Sequence, residues 1–305
     1  RLISLMKTDL VTHMVGEFPE LQGTMGRIYA EFEGEDTDVA RAIEEHYLPT
    51  GGMGNLPVSS IGAIAAIADK LDSIVSFFSV GINPTGNLDP YALRRQSLGI
   101  IKIAIERALH LPLRTLLEKA YDSGAGIQKR LAFEEARNSI TEFIATRFKF
   151  SMLEEGHNQE FVESVLPCVA ADIYDGYMRL VSLETQRSME DFQRLMVGFR
   201  RVYNITKQIT EMVPVDPAAL VLDEEKQLFS LYSNKKDIFL GHMKKRDYDN
   251  ALAVLVGFKE TIDNFFDKVF VMDKDEAIKA NRLALLAHIK DMFLTFADFS
   301  KIHFE

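Results

Sequence analysis

The stretch DFQRLMVGFRRVYNITKQIT (191–210) decides the fold, because its large apolar residues Phe192, Leu195, Phe199, Val202 and Ile209 recur at steps of three, four and seven. That is the period of one face of an α-helix. Upstream, Ile61, Ile64, Ala68, Leu71, Val75 and Phe78 keep the same rhythm, and the alternation that marks a strand is scarce. The rhythm breaks at residues 33–38, 49–60, 81–90, 121–128 and 213–217, where Gly, Pro and Asp supply turn conformations. The pattern predicts an all-α protein of many short to medium helices, without internal repeats.

With 305 residues and 47% apolar content, the chain has material for about two domains with their own cores. It carries 35 Lys and Arg against 45 Asp and Glu, a net charge of −10 and the wrong sign for coating a polyanion through bulk electrostatics. The charge is uneven: after Phe192 there are 17 basic and 17 acidic residues, so all the excess acid lies before it. A single cysteine, Cys168, excludes a disulfide framework and fits a reducing, cytoplasmic setting. The longest charge-free stretch, between Glu45 and Asp69, is interrupted by Pro and Gly and does not read as a membrane span. The chain starts with Arg1 and without a signal sequence, and is expected to be the carboxyl-terminal part of a longer protein.

The basic residues of the last third are the natural place for a polyanion. Arg200, Asn204 and Lys207 share a face opposite the apolar stripe of their helix, and Lys235 and Lys236 form a further cluster; solvated surface charge is the alternative reading. The last helix is expected to start at Asp273 with a capping box to Glu276, and its stripe is Leu283, Leu286, Ile289, Phe293 and Phe296. Arg282 falls inside that apolar sector, so it must snorkel, pair with an acid such as Asp267, or reach a ligand. In the first part, Asp89 before Pro90 reads as a helix cap and first-turn pair, followed by Arg94 and Arg95, which either grip a phosphate or pair with acids of the same domain.

Enzymatic motifs are weak. His46 sits with Val39, Ala42 and Ile43 on an apolar face and Asp69 shares a face with Asp72, which gives at most two convergent metal ligands where hydrolytic centres use three or more. There is no His-Asp doublet and no nucleophile elbow, and Cys168 reads as packing. The glycine groups at 51–54 and 124–126 lack the context of a phosphate loop and read as turns.

Taken together, TDLVTHMVGEFPELQGTMGRIYA (8–30), AIEEHYLPTG (42–51), GAIAAIADKLDSI (62–74) and GINPTGNLDPYALRRQSLGIIKI (81–103) resemble the β subunit of the bacterial two-subunit glycyl-tRNA synthetase. The likeness continues through FRRVYNITK (199–207) and FFDKVFVMDKDEAIKANRLALLAHIKDMFLTFADFSKI (265–302). The resemblance implies a degenerate His-Asp-phosphohydrolase-like helical domain at 1–110, a connecting region at 111–192 and an anticodon-binding-like bundle at 193–305. It also implies glycine tRNA and the α subunit as partners in a heterotetramer of two α and two β chains, with no membrane partner. ATP and magnesium would be used at the α subunit, leaving no catalytic residue, cofactor or metal in this chain. His46 and Asp69 would be remnants of hydrolase ligands. The tRNA contacts would come from Arg200, Asn204, Lys207, Asn281 and Arg282, with Tyr232, Lys235 and Lys236, and with Arg94 and Arg95 in the first part; Tyr232 is preferred over Phe199 and Tyr203 for base stacking. The alternatives are a metal-dependent phosphohydrolase and a non-catalytic assembly scaffold.

Overall fold

A computed structural model of the chain describes residues 1–51, 54–84, 88–124 and 126–303. The turns assigned to the two glycine groups fall partly outside these residues, at 52, 53 and 125. Helices dominate and no β-strand forms among the described residues, as the periodicity predicts. No described helix is long and apolar enough to cross a membrane. The chain divides into two compact units, one of Arg1–Ser151 with Val169–Tyr174, the other of Met152–Cys168 with Asp175–Glu305.

The first unit is built around α5 (Ser60–Ser79), which packs against α4 (Thr37–Glu45), α6 (Leu93–Glu106) and α7 (Leu113–Ser123). Ahead of these lie α1 (Leu2–Leu5), α2 (His13–Glu17) and α3 (Thr24–Phe32), and α8 (Phe133–Glu154) follows. Glu45 is buried at the start of α5, where its carboxylate accepts the amides of Val58 and of the cap residue Ser59 at 3.0 Å, fixing the chain as it enters the helix. The stripe expected on α5 is only half correct. Leu71, Val75 and Phe78 are buried, but Ile61 and Ile64 are exposed, Ile64 by 62%, and the buried face of the first turns is Ala63, Ala66 and Ile67. In a helix this rich in Ala and Ile, periodicity cannot select the packed face, and the neighbouring helices select the small side chains that let them approach.

The cap of α6 also differs from expectation. Asp89 does not open the helix with Pro90. The helix begins at Leu93, and the Asp89 carboxylate accepts the amides of Leu93 at 2.8 Å and Arg94 at 3.0 Å from four and five residues upstream. Between them Ala92 is held in the left-handed region, at φ 55°, a conformation costly for a residue with a Cβ.

The second unit contains α9 (Gln159–Val169) and α10 (Ile173–Gln186) in large part, then α11 (Glu190–Thr206), α12 (Asp223–Lys244), α13 (Tyr248–Val256), α14 (Lys259–Lys268) and α15 (Glu276–Phe296). Here α15 packs against both α11 and α12. Phe192, Leu195, Phe199 and Val202 of α11 are fully buried, and Phe199 stacks on Phe293 of α15 with ring centroids 4.8 Å apart. Gly198 permits the approach of α14, since a Cβ there would lie 3.1 Å from the Ile262 side chain. Ile209 lies beyond the end of α11. The start of α15 corrects the expected cap: Asp275, not Asp273, accepts the amides of Ala277 and Ile278.

Candidate RNA interface

Toward the end of α11 two basic side chains and an amide reach solvent. Arg200, Asn204 and Lys207 are all exposed, opposite the buried face carrying Phe199 and Val202. The Arg200 guanidinium lies 3.1 Å from His303 Nδ1, and among the described residues no acid pairs with it. Beneath this end, buried Lys290 of α15 donates to the carbonyls of Thr206 at 2.8 Å and Ile209 at 3.0 Å, placing a cation at the negative end of the α11 dipole. On α12, Lys236 is exposed and Lys235 half-buried. Tyr232 is only 8% exposed, with Lys236 Nζ 5.7 Å from its ring centroid and its ring beside His288. Tyr203 is half-buried and Phe199 belongs to the core, so none of the three aromatics offers an open face.

Asn281 and Arg282 are turned inward. Asn281 binds the backbone of Asp216 through both ends of its amide. Arg282 is 4% exposed and donates to the Glu225 carboxylate, to Asp273 at 2.7 Å and to the Phe270 carbonyl at 2.9 Å. Of the routes open to it in the sequence, pairing is realised, but with Glu225 and Asp273; Asp267 instead lies 3.9 Å from Arg201. The Asp275 amide, and after it Arg282, hold the Asp273 carboxyl below the usual carboxylate range. Between the 209–219 segment and α15 lies an apolar pocket of about 440 Å³, lined among others by Ile209, Pro214, Ala280 and Leu283. It opens two residues beyond Lys207. Sequence reasoning missed it, because its walls come from two segments far apart along the chain, 209–219 and 277–284, and no local pattern signals that they meet.

In the first unit, the hydrolase-like pair does not assemble into a metal site. His46 is completely buried: its Nδ1 donates to the Ile43 carbonyl at 2.6 Å and its Nε2 has no partner among the described residues. Burial, reinforced by the charge of Lys7, pulls its pKa down to about 4. Asp69 accepts from Lys7 at 3.0 Å, a cation where a metal would need further anionic ligands. Among the described residues no group of three or more His, Cys, Asp or Glu is placed to hold a metal ion. Burial also pulls the neighbouring Lys70 down to about 8. Arg94 is half-buried and engaged within the protein, whereas Arg95 is exposed. Cys168 lies 3.6 Å from the Phe296 carbonyl, and burial pushes its thiol pKa up.

The second unit is thus a helical bundle with an exposed basic row on α11, and comparison with known proteins places it in a class: the family model described as DALR anticodon binding domain matches residues 195–298. The first unit is covered by the model described as Glycyl-tRNA synthetase beta subunit, over residues 1–167. The chain belongs to the glycyl-tRNA synthetase beta subunit family. It is similar to the glycine–tRNA ligase beta subunit of Geotalea daltonii, 42% identical over 300 residues, covering 98% of this chain and 43% of that protein. The corresponding subunit of Sulfurihydrogenibium sp. is 35% identical over 302 residues, covering 99% of this chain and 42% of that protein. The chain therefore spans less than half the length of the curated relatives it matches.

Proposed function

We propose that the chain binds and positions glycine tRNA as part of the β subunit of a cytoplasmic glycine–tRNA ligase. The partner α subunit would carry out the ATP- and magnesium-dependent attachment of glycine, in an assembly of two α and two β chains. The observation that carries this reading is the exposed row of Arg200, Asn204 and Lys207 on α11, inside the segment matched by the anticodon-binding model. Its two cations suit phosphate oxygens, and Asn204 can donate to or accept from a base edge or a sugar hydroxyl. The apolar pocket beyond Lys207 is large enough to receive an unstacked base, the form in which loop nucleotides are read. Mechanistically the contribution is positional: a tRNA held at a fixed register brings its acceptor end to the other subunit's active site at high effective concentration.

The test is salt-dependent binding of glycine tRNA by the Arg200→Ala/Lys207→Ala double variant. Loss of two phosphate contacts lowers the slope of log affinity against log salt by about 1.5. Unchanged affinity and slope would instead support a pure assembly scaffold.

A further inference from the structure

The RNA reading leaves unused a polar cavity of about 720 Å³ in the first unit, within the size range of small-molecule sites. Its walls bring together Lys7 from the α1–α2 connection, Asp69 and Lys70 from α5, and Arg95 from α6. Each cation is held differently. The stem of Lys70 lies along Gly99, where a Cβ would come within 3.0 Å of it. Its ammonium donates to the carbonyls of Leu48 at 2.7 Å and His46 at 3.3 Å, which leaves one of three N–H groups for another acceptor. Lys7 sits 3.0 Å from Asp69 and 4.3 Å from the ring centroid of Tyr47. Arg95 has no hydrogen-bond or ion-pair partner among the described residues. In a chain of net charge −10, this cavity is lined by three cations against two acids, Asp69 and Glu20.

We propose that the cavity binds a small phosphate monoester, with its terminal phosphate held by Arg95, Lys70 and Lys7 and a hydroxyl of its body donating to Asp69. Three donors arriving from three separate elements match the three terminal oxygens and double charge of a monoester. A phosphodiester offers only two free oxygens. The site is separate from the α11 row, so either proposal can fail without the other.

Calorimetric titration of the full chain at fixed ionic strength with adenosine monophosphate, inorganic phosphate and a 5′-hydroxyl dinucleotide tests this. Saturable monophosphate binding is expected, competed by inorganic phosphate and weakened at least about tenfold by Arg95→Gln and by Lys7→Gln. Lys235→Gln, in the second unit, leaves it unchanged. Both informative positions have exposed side-chain ends, and circular dichroism verifies that the variants fold. The proposal is overturned if no saturable binding occurs up to about 10 mM, or if both variants bind as the parent does. It is equally overturned if the diester binds as tightly as the monoester, which would assign the cavity to an RNA backbone.

Discussion

Asn281 grips the backbone of Asp216 from both sides, its Oδ1 accepting the Asp216 amide at 2.8 Å and its Nδ2 donating to the Asp216 carbonyl at 2.9 Å. This pair ties the 213–219 segment to α15 and fixes one wall of the apolar pocket. Asn281→Ala removes both bonds and leaves two backbone groups to find water, a loss of about 1–3 kcal/mol. Urea denaturation measures it. Hydrogen exchange at the Asp216 amide should accelerate more than at amides in α11, and equal acceleration would assign Asn281 a general rather than a local role.

One residue later, Arg282 joins two elements through a buried ion pair. Glu225, 1% exposed, accepts from Arg282 and also from the amides of Val221 at 2.6 Å and Leu222 at 3.2 Å, so it ties down the start of α12 as well. Arg282→Ala strands this carboxylate without its cation and should cost about 3–5 kcal/mol. In Arg282→Met/Glu225→Gln the buried Arg282–Glu225 charge pair is gone, an acceptor for the two amides remains, and only the partly exposed Asp273 keeps its charge. That double variant should be more stable than Arg282→Ala; if it is less stable, the stranded Glu225 carboxylate is not what makes the single variant costly.

These two residues show where sequence reading reaches its limit. Arg282 in an apolar sector signals a buried cation, because helical period alone fixes its direction, and the buried face of α11 follows from Phe192, Leu195, Phe199 and Val202 in the same way. What period cannot supply is the partner: Glu225 lies 57 residues away, and Asp267, near in sequence, is directed elsewhere. Tyr232 fails for a related reason. Flanking lysines suggest an open ring, yet its position on α12 faces α15 and His288. The exposure of Arg200, Asn204 and Lys207 was legible because it is the complement of a strong stripe. Ile61 and Ile64 were misplaced because α5 has apolar residues on most of its faces.

Lys290 couples the core to the proposed RNA-binding end of α11. Its ammonium satisfies two carbonyls at the helix C-terminus, so Lys290→Met removes charge-assisted hydrogen bonds together with a favourable dipole interaction, about 2 kcal/mol in all. Fraying of the last turn then displaces Lys207. The variant is expected to lose thermal stability and to weaken tRNA binding at temperatures where it remains folded. Full tRNA affinity in the folded variant would show that Lys207 does not need a fixed helix end.

His46 should make the first unit sensitive to acid. In the folded protein its pKa lies at about 4, because burial disfavours the imidazolium and Lys7 adds repulsion, against an ordinary value of 6.5. Between those values the unfolded chain binds a proton that the folded chain refuses, so stability falls as pH drops from about 6.5 and continues to fall until about pH 4. The contribution that is complete above pH 6.5 amounts to roughly 3 kcal/mol if the shift is fully expressed. His46→Gln removes the titrating group and should flatten this part of the stability profile, whatever it costs at neutral pH. The check is the slope of unfolding free energy between pH 4 and 6.5 in parent and variant, alongside the NMR titration of the His46 ring. Parallel slopes, or a ring that titrates near its ordinary value, would mean that the imidazole is reached by water and is not held neutral by its surroundings.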